Sequence, residues 1–224
     1  MSAYIRWLIA MKRQWHHPVS TEEKELGFKG WHTRGYLPHF DAPGVVQMLN
    51  FRLADSLPQE RRMEWKAILQ IEDDRERRIR LEAYLDKGYG ACELAIPEIA
   101  HRFEEICLND DNVRCRVLAW VVMPNHVHLL VEVWTTPVRK LVGCWKSLSA
   151  RFANRYLGRS GPWWQADYFD RYIRDEAHYQ KTVHYIENNP VKAGLVKDAK
   201  RWRWNSAKWR PEGFGLQPVR SPAI

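Results

Sequence analysis

The sequence predicts an α+β fold, an antiparallel sheet with helices packed on it. Residues 113–123 and 126–134 are apolar, β-rich stretches separated only by Pro124-Asn125, which reads as a strand–strand hairpin. Helical patterns with an apolar stripe lie on either side of that hairpin in the chain. Further strand patterns occur upstream, at 45–53, and downstream, at 168–173. The hairpin breaks the strict strand–helix alternation that marks a doubly wound parallel sheet.

Taken in order, residues 1–40 have no clean periodicity and read as an irregular extension. Val45–Leu53 follows Pro43-Gly44 and reads as the first strand. Leu57-Pro58 opens a helix through about Gln70, with Pro58 in its first turn. Glu72–Asp86 is densely charged and reads as an exposed helix or inserted arm. Pro97 starts a helix in which Ile99, Phe103 and Ile106 recur at i, i+4 and i+7, a stripe for packing on a sheet. The polar turn Asn109–Asn112 ends it, and the hairpin follows. Leu141, Trp145, Leu148 and Phe152 give one apolar side to a helix over about Pro137–Leu157. Asp175 offers an N-cap to a last helix with Tyr179, Val183 and Ile186 as its stripe; Pro190 is expected to stop it near Asn188. The basic, Trp-rich tail from Lys197 is expected to fray after Pro211.

The chain has 224 residues, enough to bury a core without staples. Cys92, Cys107, Cys115 and Cys144 show no Cys-x-x-Cys spacing, which argues against a zinc knuckle and for reduced thiols in a cytosolic protein. No stretch approaches a membrane span, so no membrane partner is expected. The net charge of +8 is unevenly placed: residues 139–210 carry 16 Lys and Arg against 6 Asp and Glu, and the remainder nets −2. Such a concentrated field suits a polyanion, though it also serves solubility. Several of the 12 tryptophans, including Trp145, Trp163, Trp164, Trp202, Trp204 and Trp209, sit among these basic residues. Aromatic rings interleaved with cations suit unstacked bases, and rings that fill the core are the alternative.

His126-Val127-His128 lies in the second hairpin strand. Side chains alternate along a strand, so the two imidazoles share one face while Val127, Leu129 and Val131 point to the other. Neutral imidazole is the commonest metal-binding side chain, but a bare His-x-His equally fits two polar residues on a solvated face. On the last helix Tyr185 and Asn189 are four apart and share a face, away from the apolar stripe. Two histidines, a carboxamide and a tyrosine make a plausible metal-assisted nucleophile site. A phenol, with a reference pKa of about 10, needs such help to attack a phosphodiester. Two nitrogens and one oxygen favour Mn²⁺ or a tolerant Mg²⁺ site.

His126-Val127-His128 matches the His-hydrophobe-His (HUH) motif of single-strand DNA endonucleases and transposases. The segment Met123–Leu130 resembles that of the REP-associated tyrosine transposases and their insertion-sequence relatives. So do Trp164-Gln165, Tyr168-Phe169-Asp170, Ile173-Arg174-Asp175-Glu176, Tyr185–Leu195 and, upstream, Gly35–Asp41, blocks that span roughly residues 33 to 209. The resemblance implies a ferredoxin-like, RRM-like HUH palm. It implies Tyr185 as the catalytic tyrosine and His126, His128 and Asn189 as ligands of Mg²⁺ or Mn²⁺. It implies a substrate of single-stranded or hairpin DNA from repeated palindromes, cut through a 5′-phosphotyrosine. Lys146, Arg151, Arg155, Arg171, Arg174 and Lys192 are candidate phosphate contacts. The alternative is a decayed transposase that binds hairpin nucleic acid without cutting it. The expected division is an extension over 1–40, an HUH domain over 41–196 with a charged insertion near 71–90, and a tail over 197–224. The expected protein is cytoplasmic, nucleoid-associated, and a monomer or homodimer.

Overall fold

A computed structural model describes residues 18–33, 38–57 and 59–210. Its centre is a four-stranded sheet of β3 (Val46–Arg52), β4 (Cys115–Val122), β5 (His126–Val133) and β6 (Phe169–Tyr172). The strand order is β4-β5-β3-β6 and every pairing is antiparallel. Two helices complete the unit: α4 (Pro97–Leu108) joins β3 to β4, and α5 (Val138–Tyr156) joins β5 to β6. This β-α-β-β-α-β connectivity with the first strand inside the sheet is the ferredoxin-like arrangement that the resemblance implies.

The sheet is buried on both faces. Leu49, Phe51, Val127, Leu129 and Val131 face α4 and α5 in the larger core, with Ile99, Phe103, Leu141 and Trp145. Met48, Val121 and Leu130 face the other way, onto Tyr179, Val183 and Ile186 of α6 (Glu176–Lys192). The histidine face is therefore roofed by a helix.

Four expectations need correction or completion. Among the described residues of the segment read as irregular, Thr21–Glu25 forms a short helix, α1, and β1 (Gly30–Thr33) pairs with β2 (Pro38–Asp41). These elements are too short to leave a periodic trace. Pro58, expected in a helix's first turn, lies outside the described residues; α2 (Arg62–Leu69) follows it, and α3 (Asp74–Leu85) occupies the charged stretch. The tail is packed up to Arg210: Trp204, Asn205 and Ser206 are buried, and Asn205 bridges Val121. Residues beyond Arg210, where fraying is expected, lie outside the described residues.

Pro190 does not stop the last helix. It sits inside α6, which runs on to Lys192. Proline removes one N–H and crowds the carbonyl four residues back, at a cost of about 3 kcal/mol. The neighbouring Glu187 carbonyl takes a bond from Asn205 Nδ2 (2.8 Å), so the disturbed turn keeps an extra donor. The helix ends where Gly194 adopts a left-handed φ of 72°. Gly194 N donates to the Val191 carbonyl (3.0 Å) and Leu195 N to that of Pro190 (2.9 Å), a Schellman closure. Among the described residues no helix is long and apolar enough to cross a membrane.

Candidate active site

Strand register assembles the first half of the site. In the β3–β5 ladder Asn50 lies opposite His128 and Arg52 opposite His126. Both imidazoles are about 1% exposed, so they face protein rather than solvent. Their rings stand perpendicular with centroids 4.9 Å apart. His126 Nδ1 lies 2.7 Å from Asn125 Oδ1, which directs its N–H to that oxygen and leaves Nε2 as the lone-pair nitrogen. Asn125 is held in turn by Nδ2 donating to the Tyr89 carbonyl (3.2 Å). His128 Nδ1 lies 3.2 Å from Asn50 Nδ2.

Helix α6 supplies the second half. Asp175 caps it by accepting from His178 N (2.7 Å), and Glu176 sits where the helix dipole favours a negative charge. Because Pro190 does not break the helix, Asn189 keeps its i+4 relation to Tyr185. Asn189 Nδ2 donates to Tyr185 Oη (3.3 Å), and the same phenol lies 3.3 Å from His128 Nε2. Asn189 Nδ2 is also 3.5 Å from His128 Nε2. Asn189 Oδ1 is buried and has no hydrogen-bond partner among the described residues.

Electrostatics keep the imidazoles neutral. Burial, then the positive charges of Arg52 and Lys192, holds His126 at about 3. Burial, then His126 and Lys192, also pushes His128 well below its usual value. Neutral rings are the metal-binding form. Among the described residues no three His, Cys, Asp or Glu side chains cluster as a metal site. A cation here would rest on the histidine pair and the Asn189 oxygen.

Comparison with known proteins finds likenesses over part of the chain. Residues 94–189 match the model of the family described as "Transposase IS200 like", a stretch containing His126, His128, Tyr185 and Asn189. The chain is similar to that family over this stretch, and it spans about 59% of the length of the first relative below. It is 32% identical to a REP-associated tyrosine transposase of Escherichia coli over 103 residues, which is 45% of this chain and 59% of that one. It is 25% identical over 141 residues to a Haemophilus influenzae protein provisionally named a REP-associated tyrosine transposase, covering 55% of this chain and 78% of that one. A solved structure of a REP-associated tyrosine transposase bound to a REP hairpin aligns over 86% of this chain and 91% of its own, at 18% identity and a TM-score of 0.49.

Around Tyr185, a cleft of about 690 Å³ is lined by Asn50, Arg171 and Arg174 among others. Lys192 Nζ lies 5.9 Å from the Tyr185 ring centroid and pairs with Asp86 at 3.4 Å. Lys146 donates to three carbonyls, of Gln165 (2.7 Å), Ala166 (3.2 Å) and Asp167 (2.9 Å), and so holds the loop ahead of β6. Arg151 and Arg155 are exposed on α5, in the helix layer across the sheet from Tyr185. Asn50, Arg52 and Asn125 were not singled out by sequence reasoning. Only the strand register reveals the first two, since Asn50 and His128 are 78 residues apart. Asn125, beside His126, was visible as a neighbour but carried no signal of its role.

Proposed function

We propose that this protein is a metal-dependent single-strand DNA endonuclease and strand transferase. Its substrate is hairpin or repeated palindromic DNA, and its intermediate is a 5′-phosphotyrosine at Tyr185. The observation that carries the reading is the convergence of the Tyr185 phenol with His128 and Asn189, within 3.5 Å, on a chain whose residues 94–189 match the IS200-like transposase model.

His126 and His128, through neutral ring nitrogens, and Asn189, through its unpartnered Oδ1, would hold Mg²⁺ or Mn²⁺. This donor set fits a divalent ion that takes further oxygens from water or the phosphate. When bound, the ion polarises a phosphodiester oxygen and orients phosphorus for in-line attack. Tyr185 Oη forms the new bond to phosphorus as the bond to the 3′-oxygen breaks. The phenol gives up its proton, and the departing 3′-oxygen ends as a hydroxyl. The ester on Tyr185 keeps the phosphodiester's reactivity, so a second 3′-hydroxyl displaces the tyrosine and reseals a strand. Asn189 and His128 hold the phenol in position, and the Lys192 ammonium stands near the developing negative charge.

The test is incubation with labelled single-stranded hairpins from the host genome's repeats, with Mn²⁺ or Mg²⁺, beside Tyr185→Phe. The expected result on a denaturing gel is a protein–DNA adduct that needs both metal and Tyr185. Cleavage without an adduct would make water the nucleophile. Tight, metal-indifferent binding without cleavage across a panel of hairpins would make the protein a non-cleaving binder.

A further inference from the structure

We propose that the helical arm over residues 59–90 and the first turns of α6 enclose a site for one unpaired nucleotide, whose base lies on the Arg52 guanidinium. The proposal rests on the single-strand DNA reading above and names the part of the substrate held next to the tyrosine.

The cleft of about 690 Å³ beside Tyr185 has an apolar wall from the arm, formed by Trp65, Leu69 and Leu81. The facing walls come from β3, β6 and α6. Its volume falls within the roughly 300–1,000 Å³ of small-ligand sites, which suits a single nucleotide. Among the described residues four basic side chains line it, Arg52, Arg171, Arg174 and Lys181, against two carboxylates, Asp167 and Asp175. Each carboxylate already accepts a backbone N–H, from Tyr168 (2.9 Å) and His178 (2.7 Å). The net field is positive. An apolar wall, an excess of cations and an opening onto a phosphoryl-transfer residue together describe a ligand with a flat body and an anionic tail.

The flat body has a defined platform. The Arg52 guanidinium lies 3.8 Å from the Trp65 ring centroid. Trp65 meets Tyr84 edge-on at 5.4 Å, and Arg52 and Trp65 both line the cleft, so the guanidinium–indole pair forms part of its wall. A guanidinium braced on one face by an aromatic ring stacks a nucleobase on the other.

The arm is anchored to the site. Ala91 N donates to Asp55 Oδ2 (2.7 Å), and at Gly90 (φ 92°) an added Cβ would sit 2.9 Å from the Asp55 carbonyl oxygen, leaving no room for a side chain. Tyr89 holds Asn125, and Asp86 holds Lys192. Both contacts reach the catalytic residues, which accounts for a charged insertion that does not repack into the main core.

The experiment uses the full chain and an oligothymidylate carrying a single 5-iodouracil. Irradiation and peptide mapping should place crosslinks on cleft aromatics, Trp65, Tyr168 or Phe169. In parallel, Arg52→Lys keeps the charge and removes the plane; it should weaken oligothymidylate binding by roughly fivefold or more, the loss of one stacked base. Wild-type affinity in Arg52→Lys, or crosslinks confined to other surfaces, would overturn the proposal. If Arg52→Lys fails to fold, the wild-type crosslink map decides alone. Cleft crosslinks on oligothymidylate, with no tyrosine adduct on the hairpin panel in the presence of metal, would sink the transesterase reading and keep this one. An adduct with unaltered affinity in Arg52→Lys would do the reverse.

Discussion

His128 cannot offer Nε2 to a cation while Nε2 carries the ring proton. The proton must then sit on Nδ1 and needs an acceptor. Asn50 is the residue at hand, 3.2 Å from Nδ1, and a half-turn of its amide presents Oδ1 instead of Nδ2. Asn50→Leu removes the acceptor, and the apparent metal affinity in a cleavage titration should fall by roughly 10- to 100-fold. Asn50→Asp, which keeps an oxygen there, should lose less; equal metal affinity for wild type and Asn50→Leu would contradict this role. The same buried histidines shape the acid response. Above about 6.5 both folded and unfolded chains hold them neutral. Below that the unfolded chain takes up protons that the fold refuses until about pH 3 for His126, so stability falls as pH drops through this window. Urea titrations with chelator present, at about pH 7 and about pH 5, should show the loss, and His126→Gln should show less of it. An identical acid loss in that variant would refute the assignment.

Helix α6 carries both Tyr185 and Asn189, and its far side is clipped by the C-terminal segment. Glu187 accepts from Ser206 Oγ (2.6 Å) and pairs with Arg210, with both members of the ion pair less than 10% exposed. Breaking a buried pair strands a charge, so Arg210→Ala should cost about 3 kcal/mol in urea denaturation. A loss below about 1 kcal/mol, the scale of a surface pair, would show that the clip is not a buried interaction. The N-cap of this helix, Asp175, was legible in the sequence, and so was the i, i+4 relation of Tyr185 to Asn189. Pro190 misled because its cost is local, whereas the packing of Ile186 and the bond from Asn205 that keep the turn together come from elsewhere in the fold. For the same reason the burial of Asn205 and Ser206 could not be foreseen, since polar residues enter a core only with partners that tertiary structure supplies.

Across the whole molecule, the strand–strand hairpin announced an antiparallel α+β fold, and the histidine pair marked the sheet face that α6 covers. The arm stayed ambiguous because its α3 helix has little amphipathic signal and works by lining a cleft rather than by filling the core. Its contribution depends on Arg52, and hence on a long-range strand register. The charge of the C-terminal third divides by position. Arg171 and Arg174 open on the cleft, while Arg151 and Arg155 lie across the sheet from Tyr185. Removing one phosphate contact should lower the slope of log K against log salt by about 0.7 for single-stranded DNA. Arg174→Ala should show that change, and Arg151→Ala should show it only if DNA wraps to the far layer; a slope unchanged in Arg174→Ala would remove the cleft from the DNA path. The most direct test of the account is the chemical position of the covalent link. The wild-type protein is reacted with hairpin DNA and Mn²⁺, digested with nuclease and protease, and sequenced by mass spectrometry. The account predicts a nucleotide 5′-phosphate esterified to Tyr185; a phosphate on another residue, or a 3′-phosphate link, would contradict it.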